Sequence, residues 1–597
     1  MSDDDRKKWY RLPNKLNRKV IFGRMRKVED VTVRHAHKFL IKRWANVVEV
    51  QRHILLWILG VAILISATGL QLMWYQQSYR TTVAASGGTY AEAVLGPVNT
   101  LNPLYAMTSA EQSAGYLIFS SLLKYDKTGN LNYDLANSVS VDSSGKQYTI
   151  SIKPNIKWHD GDNLSADDVV YTVDMMKNSA TRSVYSGWEN VTVKAADRTT
   201  LTFTLNTSYA AFEHALTFPI LPKHILKDVS PSSLRENNFS RDPIGSGPFK
   251  VRLVQNVDGV SDREVIYLVR NENYYINQRN LDKFQLHVYN TEDEIVKALA
   301  NNEVNAAADI FSTDVNQINT NRYNVKTLPI RSGVYAILNT NSDTLKDKAI
   351  RSALRLATDI NSIKDKLPIG TPSLDLPFIN GQLSGDIPHA SAFDLKAAQE
   401  TLAGAGWQLD KHNIYAKDGK ELKLSLVTLK DSELERVLES ISDQWRKLGV
   451  DVETKVVDPN DITQNVAQSI LQPRNYDVLI YRLNIGADPD VYAYWHSSQA
   501  NASGSNFSNY SNAISDDALA TARIKSDPIL RNAKYITFVK QWLSDIPAIG
   551  LYQSTTQYVY NKNIKSLSDS TVLISPVDRY SDLMNWYVGT KSLYQTP

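Results

Sequence analysis

The sequence predicts a mixed α/β protein carried behind a single N-terminal transmembrane helix. Three observations lead there: one long apolar run without charge, irregular alternation of helical and strand periods beyond it, and an outer region too long for a single core.

The run spans residues 53–79 (HILLWILGVAILISATGLQLMWYQQSY) and contains no Asp, Glu, Lys or Arg. At roughly 1.5 Å per residue it outreaches a hydrocarbon core of about 30 Å. Trp74, Tyr75 and Tyr79 stand at its far end, where amphipathic rings favour the headgroup level. Residues 1–52 hold fifteen Lys/Arg and six Asp/Glu, a charge of +9 in a chain of +3, which leaves −6 on the other 545 residues. Arg80 is nearly alone after the span. The positive-inside bias therefore puts the N-terminus in the cytoplasm and everything after about residue 80 outside. A cleaved signal peptide is the alternative, with Val83 and Ala85 as the small residues before the cut. A basic region of 52 residues and an apolar run beyond the usual ~7–15 favour a retained anchor. Within the basic segment, Leu40, Ile41, Trp44, Val47 and Val48 fall at helical spacing among Lys38, Lys42 and Arg43. That pattern fits either a basic amphipathic helix on the inner membrane face or a solvated tail that only sets topology.

The 597 residues suggest two or three domains. A basic head on a mildly acidic body speaks against a nucleic-acid binder, which would spread positive charge over a folded face. Cysteine is absent, which excludes disulfides, thiolate metal sites, a Cys nucleophile and a lipid-modified N-terminal Cys. Thr81–Thr89 (TTVAASGGT) reads as a short flexible linker. Beyond it, Gln147–Lys153, Val191–Val193 and Leu201–Leu205 alternate with period two and read as strands. Ser165 followed by Asp168 signals a helix start, and apolar residues then recur at helical spacing to Met176. Asp394–Ala405 and Ser432–Leu448 read as surface helices, the second stopped by Gly449. Pro372, Pro377 and Pro388 punctuate a loop between helices, ahead of the first of these. Tyrosine is abundant at 31 residues, which suits both cores and binding surfaces.

Enzyme signatures are missing. There is no H-E-x-x-H, G-x-S-x-G or G-x-x-x-x-G-K-[ST] motif. Gly245-Ser246-Gly247-Pro248 lacks the Lys and the length of a phosphate cradle and reads as a turn at a domain crossing. His35 and His37 lie inside the basic head, and His159 lies in a Trp-His-Asp-Gly turn with too few ligands around it for a metal. Asp488 and Asp490 have no partner His, so they read as loop caps or polar ligand contacts rather than an acid–base pair. No catalytic residue, cofactor or metal is expected.

Taken in order, several segments resemble the extracytoplasmic solute-binding proteins of the dipeptide/oligopeptide type (family 5) that serve ABC importers. Leu101-Asn102-Pro103-Leu104 looks like the family's opening block, and Leu122–Asp126 with Gly129 and Leu135-Ala136 like its next. Ile156–Gly161 followed by Ser165–Val169 is similar to its W-H-D-G turn and A-D-D-V helix. Pro243–Phe249 matches P-x-G-x-G-P-[YF], with Arg270–Tyr275 shortly after. Asn339–Asn341, Asp347–Arg351 with Ala353-Leu354, Tyr476–Val478, Asp488–Asp490, Gly504–Phe507 and Ile546–Tyr552 continue the series, which runs from about residue 88 to 560.

The resemblance implies a two-lobed periplasmic-binding-protein-like fold of type II with an extra subdomain. The segments are 1–52 basic and cytoplasmic, 53–79 transmembrane, 80–88 linker, 89–325 plus 546–597 as one lobe with an added subdomain at about 131–239, and 326–545 as the other lobe. It implies capture of a peptide or peptide-like solute by lobe closure and delivery to ABC transporter permease subunits. From the residues themselves, the membrane anchor is expected to act as tether and no nucleic acid as partner. The cleft contacts expected are Tyr105, Tyr335, Asn339, Arg482, Asn484, Asp488 and Trp495. Peptide binders of the family often carry an Asp three residues before the Asp-Pro-Asp element to pair with the ligand's amine; here Ile485 holds that position. A transmembrane tether also departs from the family's free or Cys-lipidated forms. Two other readings stand beside this one: a surface sensory receptor for a non-peptide solute (a sugar, opine or metal complex) uncoupled from transport, and a surface hydrolase.

Overall fold

The computed structural model describes residues 34, 44–257, 263–276, 280–310, 318–458 and 465–594. The amphipathic reading of residues 38–48 falls on side chains outside the described set, as do His35 and His37. The chain divides into two units, Met1–Val83 with Lys591–Pro597, and Ala84–Thr590.

The smaller unit holds the 36-residue helix Trp44–Tyr79. Its stretch Val50–Tyr75 is long and apolar enough to cross a membrane, and none of it is buried inside the protein. An all-round apolar helix with side chains such as Trp57, Ile63 and Leu70 exposed is suited to lipid rather than to water. The residues expected to form a loose linker begin instead as a strand, Arg80–Ala84, paired with Thr590–Tyr594. Thr81, Thr82 and Val83 are β-branched, and that local preference outweighs the small-residue composition.

The larger unit is built on a ten-stranded mixed sheet. From one edge its order is Asp451–Val457, Lys423–Leu429, Val478–Asn484, Tyr323–Leu338, Ala548–Asn561, Ala306–Ile310, Thr89–Leu95, Lys283–Tyr289, Glu264–Arg270 and Phe249–Asn256. The first three run parallel to one another, as do Ala306–Ile310, Thr89–Leu95 and Lys283–Tyr289. The two longest strands, Tyr323–Leu338 and Ala548–Asn561, are antiparallel neighbours in the middle.

Those long strands change core along their length. Val334 and Ala336 pack with Ile549, Leu551 and Tyr552 against helices Lys348–Leu356 and Ser432–Leu448. Leu328 and Ile330 pack with Tyr558 and Tyr560 in a separate core around Leu104, Trp158 and Phe284. The unit is thus two-lobed and mixed α/β, with two strands passing between the lobes. Between the two apolar ends lies the run Gln553-Ser554-Thr555-Thr556-Gln557, buried yet polar throughout. Strand pairing also shifts there, between Pro329 and Gly333, where Ile330 bridges Leu573 and Arg331 N donates to Leu573 O at 3.1 Å.

The strands expected at Gln147–Lys153, Leu201–Leu205 and Val191–Val193 form as Gln147–Ile152, Thr200–Leu205 and Val191–Ala195, and Ala136–Val141 joins them in an antiparallel four-stranded sheet. Helix Ala166–Lys177 crosses its face, opened by a capping box between Ser165 and Asp168. Helix Leu395–Gly404 is capped by Asp394, and Ser432–Leu448 ends at Gly449 with φ +108°.

Candidate ligand-binding site

In an open α/β sheet the ligand crevice lies beyond the carboxyl ends of the parallel strands. In the second lobe those ends include Leu429 and Asn484. After Leu429, Asp431 caps helix Ser432–Leu448 by accepting the Glu433 and Leu434 N–H groups. The buried Glu433 carboxylate accepts the Tyr552 hydroxyl at 2.8 Å and pairs with Arg482 Nη2 at 3.1 Å, while Arg482 Nη1 stands 3.7 Å from Asp431. Burial opposes the charge on Arg482, but Glu433 and Asp431 outweigh it and raise its pKa. Arg482 is therefore a fixed cation.

The loop after Asn484 is tied to the lobe crossing, since Ile485 and Gly486 both donate to the Arg331 carbonyl at 3.0 and 2.9 Å. It then delivers two carboxylates. Asp488 is gripped by Arg531, Nη2 to Oδ1 at 2.6 Å and Nη1 to Oδ2 at 2.8 Å. Asp490 lies 3.5 Å from Arg523 Nε; burial raises its pKa and Arg523 opposes the rise.

The first lobe meets these groups directly. Ala210 N donates to Arg523 O and Ser208 Oγ to Ile524 O, each at 2.9 Å. The Arg523 guanidinium lies 4.9 Å from the ring centre of Tyr209 and 4.6 Å from that of Tyr492, held between one ring from each lobe. Nearby, the Tyr125 hydroxyl is 3.0 Å from His214 Nδ1. Burial depresses the His214 pKa, with Asp488 pulling it up and Arg531 pulling it down. Tyr125, Tyr209 and His214 thus face Asp488, Asp490, Arg523 and Arg531 across the lobe boundary.

Of the seven expected contacts, Arg482, Asn484 and Asp488 stand together at this edge. Asn484 is exposed, and its carbonyl accepts the Tyr494 hydroxyl at 2.7 Å. The other four are enclosed. Tyr335 is fully buried, donates to Leu376 O at 3.0 Å, and meets Trp495 edge-on with ring centres 6.2 Å apart. Trp495 is 1% exposed and packs on Trp542. Asn339 donates to the carbonyls of Arg474 and Tyr476 and accepts from Asn341 N and Asn509 Nδ2, fixing three loops. Tyr105 is 1% exposed, with the Arg235 guanidinium 4.9 Å above its ring. Sequence reasoning missed Tyr125, Tyr209, His214, Arg523 and Arg531. The single signal for the last two is a pair of arginines flanking the Asp527-Pro528 helix start.

Comparison with known proteins gives this arrangement a family. The profile of bacterial extracellular solute-binding proteins, family 5, middle region, matches residues 130–505. The chain belongs to this family. Among curated relatives, the oligopeptide-binding protein AppA of Bacillus subtilis (strain 168) is 28% identical over 500 residues, 80% of this chain and 88% of AppA. Protein XP55 of Streptomyces lividans is 26% identical over 479 residues, covering 77% of this chain and 83% of that protein. Among solved structures, B. subtilis AppA in complex with a nonapeptide superposes with a TM-score of 0.68 at 26% identity, covering 85% of this chain and 99% of AppA. NikZ from Campylobacter jejuni in complex with Ni(L-His) shares the fold, with a TM-score of 0.68 at 24% identity, covering 84% of this chain and 99% of NikZ.

As a family 5 solute-binding protein, the chain is an extracytoplasmic binder, and its W-H-D-G turn is a structural clamp. His159 Nδ1 accepts the Gly245 N–H at 3.2 Å, Nε2 lies 3.1 Å from the Gly247 carbonyl, and His159 N donates to Gly245 O at 2.9 Å. The ring is thus neutral with its proton on Nε2. Among the described residues no group of three or more His, Asp or Glu is placed to hold a metal ion.

Proposed function

We infer that the protein is the membrane-tethered binding component of an ABC importer and takes peptides or peptide-like solutes between its lobes. The likeness to AppA carries this reading: an oligopeptide-binding protein 28% identical over 80% of the chain, whose nonapeptide complex superposes on the same two-lobed fold. In this reading the lobes follow their cores: 89–328 plus 558–590, with 131–239 added, form the first lobe and 334–552 the second. The expected bounds at 325/326 and 545/546 shift because Leu328 packs in the first core and Ile549, Leu551 and Tyr552 pack in the second. The lobes exchange chain within 329–333 and 553–557, where pairing shifts and the packing turns polar. Those segments act as the hinge, and closure brings Tyr125, Tyr209 and His214 against Asp488, Asp490, Arg523 and Arg531.

Asp488 and Asp490 reach the cleft already partnered by arginines. An extended ligand is then held chiefly through its main chain, with the tyrosine rings supplying area, and its terminal amine contributes little. Arg482 and Asn484 complete the second-lobe wall, with Tyr335 and Trp495 as packing in the core beneath it. Tyr105 packs in the first lobe's core, and Asn339 fixes loops at the opposite end of strand Val478–Asn484. Val50–Tyr75 spans the membrane with the basic segment inside, which keeps the binding unit near its permease at high effective concentration.

Native mass spectrometry of the full chain, released from detergent and purified without added ligand, tests both parts. A heterogeneous set of short peptides on a protein of 67.1 kDa is expected. A single non-peptide mass, or an empty protein that peptides fail to stabilise, overturns the ligand assignment. A mass lacking residues before about Ala85 overturns the tether.

A further inference from the structure

A second pocket lies in the second lobe, away from the lobe boundary. Its cavity volume is about 90 Å³, and it opens to solvent. Its walls come from the end of helix Lys348–Leu356, the proline-punctuated loop around Asp375 and His389, the end of helix Pro528–Asp545 and the start of strand Ala548–Asn561. Arg531 and Trp542 sit eleven residues apart on one helix, so the pocket is roughly 16 Å from the Asp488–Arg531 pair along that axis.

Two residues lining this pocket carry buried donors that lack acceptors. Arg355 is 8% exposed, and its Nη1 is buried with no hydrogen-bond partner among the described residues. Trp542 is 2% exposed, and its Nε1 is in the same position. A buried unpaired donor is costly, more so when charged, so such a pair calls for an explanation. No carboxylate lies within 4.0 Å of Arg355 among the described residues; Asp375 is instead committed to His389 Nδ1 at 2.9 Å and to Ala390 N at 3.1 Å. Burial pulls the Arg355 pKa down from its usual value, and Asp375 only partly offsets this. The remaining wall is apolar, with Leu543, Ile546 and Ile549 prominent.

We propose that this pocket binds a small organic carboxylate, its oxygens accepting from Arg355 and Trp542 Nε1 and its apolar body resting on Leu543, Ile546 and Ile549. Guanidinium geometry suits a planar carboxylate, and the ligand would remove both unmet donors at once. The site is separate from the peptide cleft and independent of what that cleft holds.

The test is thermal unfolding and titration calorimetry of the full chain in detergent, with 4-methylpentanoate and leucine as probes and chloride at equal ionic strength as control. The two probes share an apolar body and differ in the amine, so they distinguish a simple acid from a free amino acid as the source. At least one should raise the unfolding temperature of the wild type and titrate to a saturable site. Arg355→Met should weaken that binding at least tenfold, and Trp542→Phe should weaken it less. Without ligand, Arg355→Met should unfold no lower than the wild type, because it removes a buried unpaired charge. Equal binding by Arg355→Met, an equal effect of chloride, no binding of either probe, or a lowered unfolding temperature of unliganded Arg355→Met would each overturn the proposal. The last outcome would make Arg355 a structural residue.

Discussion

Arg531 holds both oxygens of Asp488, at 2.6 and 2.8 Å, with the two side chains 14% and 12% exposed. Burial disfavours the charge on Arg531, and its hydrogen bonds to Asp488 outweigh that and raise its pKa. The bidentate contact uses the fork geometry that makes Arg–carboxylate pairs strong. An ammonium group seeking Asp488 would have to displace that fork. N-acetylation of a bound peptide should therefore change its Kd by less than about threefold, under roughly 0.7 kcal/mol. Competition between free and acetylated forms of one peptide checks this, and a tenfold or larger loss on acetylation would show that Asp488 gives up Arg531 for the ligand.

Arg523 bridges the lobes more directly, between the rings of Tyr209 and Tyr492 and beside Asp490. Cation–π contacts that are partly desolvated contribute about 1–2 kcal/mol. Since the Tyr209 contact exists only when the lobes meet, its loss should fall on closure rather than on folding. Arg523→Met should shift the solution ensemble toward the open form in small-angle scattering and weaken ligand binding about tenfold, with the unfolding midpoint little changed. A scattering profile identical to the wild type's would mean that closure rests on other contacts.

The sequence disclosed what is local and hid what is distant. The Ser165–Asp168 capping box, the Asp394 cap and the left-handed Gly449 stop each depend on a few neighbouring residues, so pattern reading found them. The uncharged run at 53–79 was equally plain as a long helix. Tyr335 and Trp495 stand out in the sequence only as aromatic residues, and that character does not separate a ligand wall from the core beneath it. Arg531 is 43 residues from Asp488, and no period or spacing rule connects them. The run Gln553–Gln557 has the composition of a surface strand, yet it is buried where two cores abut, which only tertiary structure reveals.

The His159 clamp makes stability depend on acid. Burial depresses the His159 pKa from 6.5 to about 4, with the Gly247 carbonyl opposing the fall and Lys250 adding to it. Protonation of Nδ1 would also break its bond from Gly245 N–H. The unfolded chain takes a proton near 6.5 while the folded ring resists until about 4. The unfolded state then binds more protons across that window, so stability is complete above pH 6.5 and falls as the pH drops toward 4. The loss from this group alone is up to about 3 kcal/mol. His287, depressed to about 4 by burial, adds to it in the same direction. Urea unfolding of the wild type should show the midpoint falling between pH 6.5 and 4. His159→Gln should start lower at pH 7 and show a shallower slope.

The partner of that clamp tolerates no side chain. A Cβ on Gly245 would lie 2.0 Å from the carbonyl oxygen and 2.8 Å from the carbonyl carbon of Ile118, at the end of helix Ser109–Ile118. Both are backbone atoms, so relief requires moving either the helix end or the turn. Moving the turn breaks the Gly247 N–H bond to Ile118 O, at 2.8 Å, and pulls Gly245 away from His159. Gly245→Ala should therefore cost about 3 kcal/mol or more in urea unfolding, in the range of severe overpacking. Gly161, in the facing turn, offers the contrast: its φ is +99° but open space surrounds its Cβ position. There the penalty is only the left-handed backbone, about 1–2 kcal/mol for Gly161→Ala. If the two variants lose stability equally, backbone conformation rather than close approach to Ile118 explains the glycine at 245.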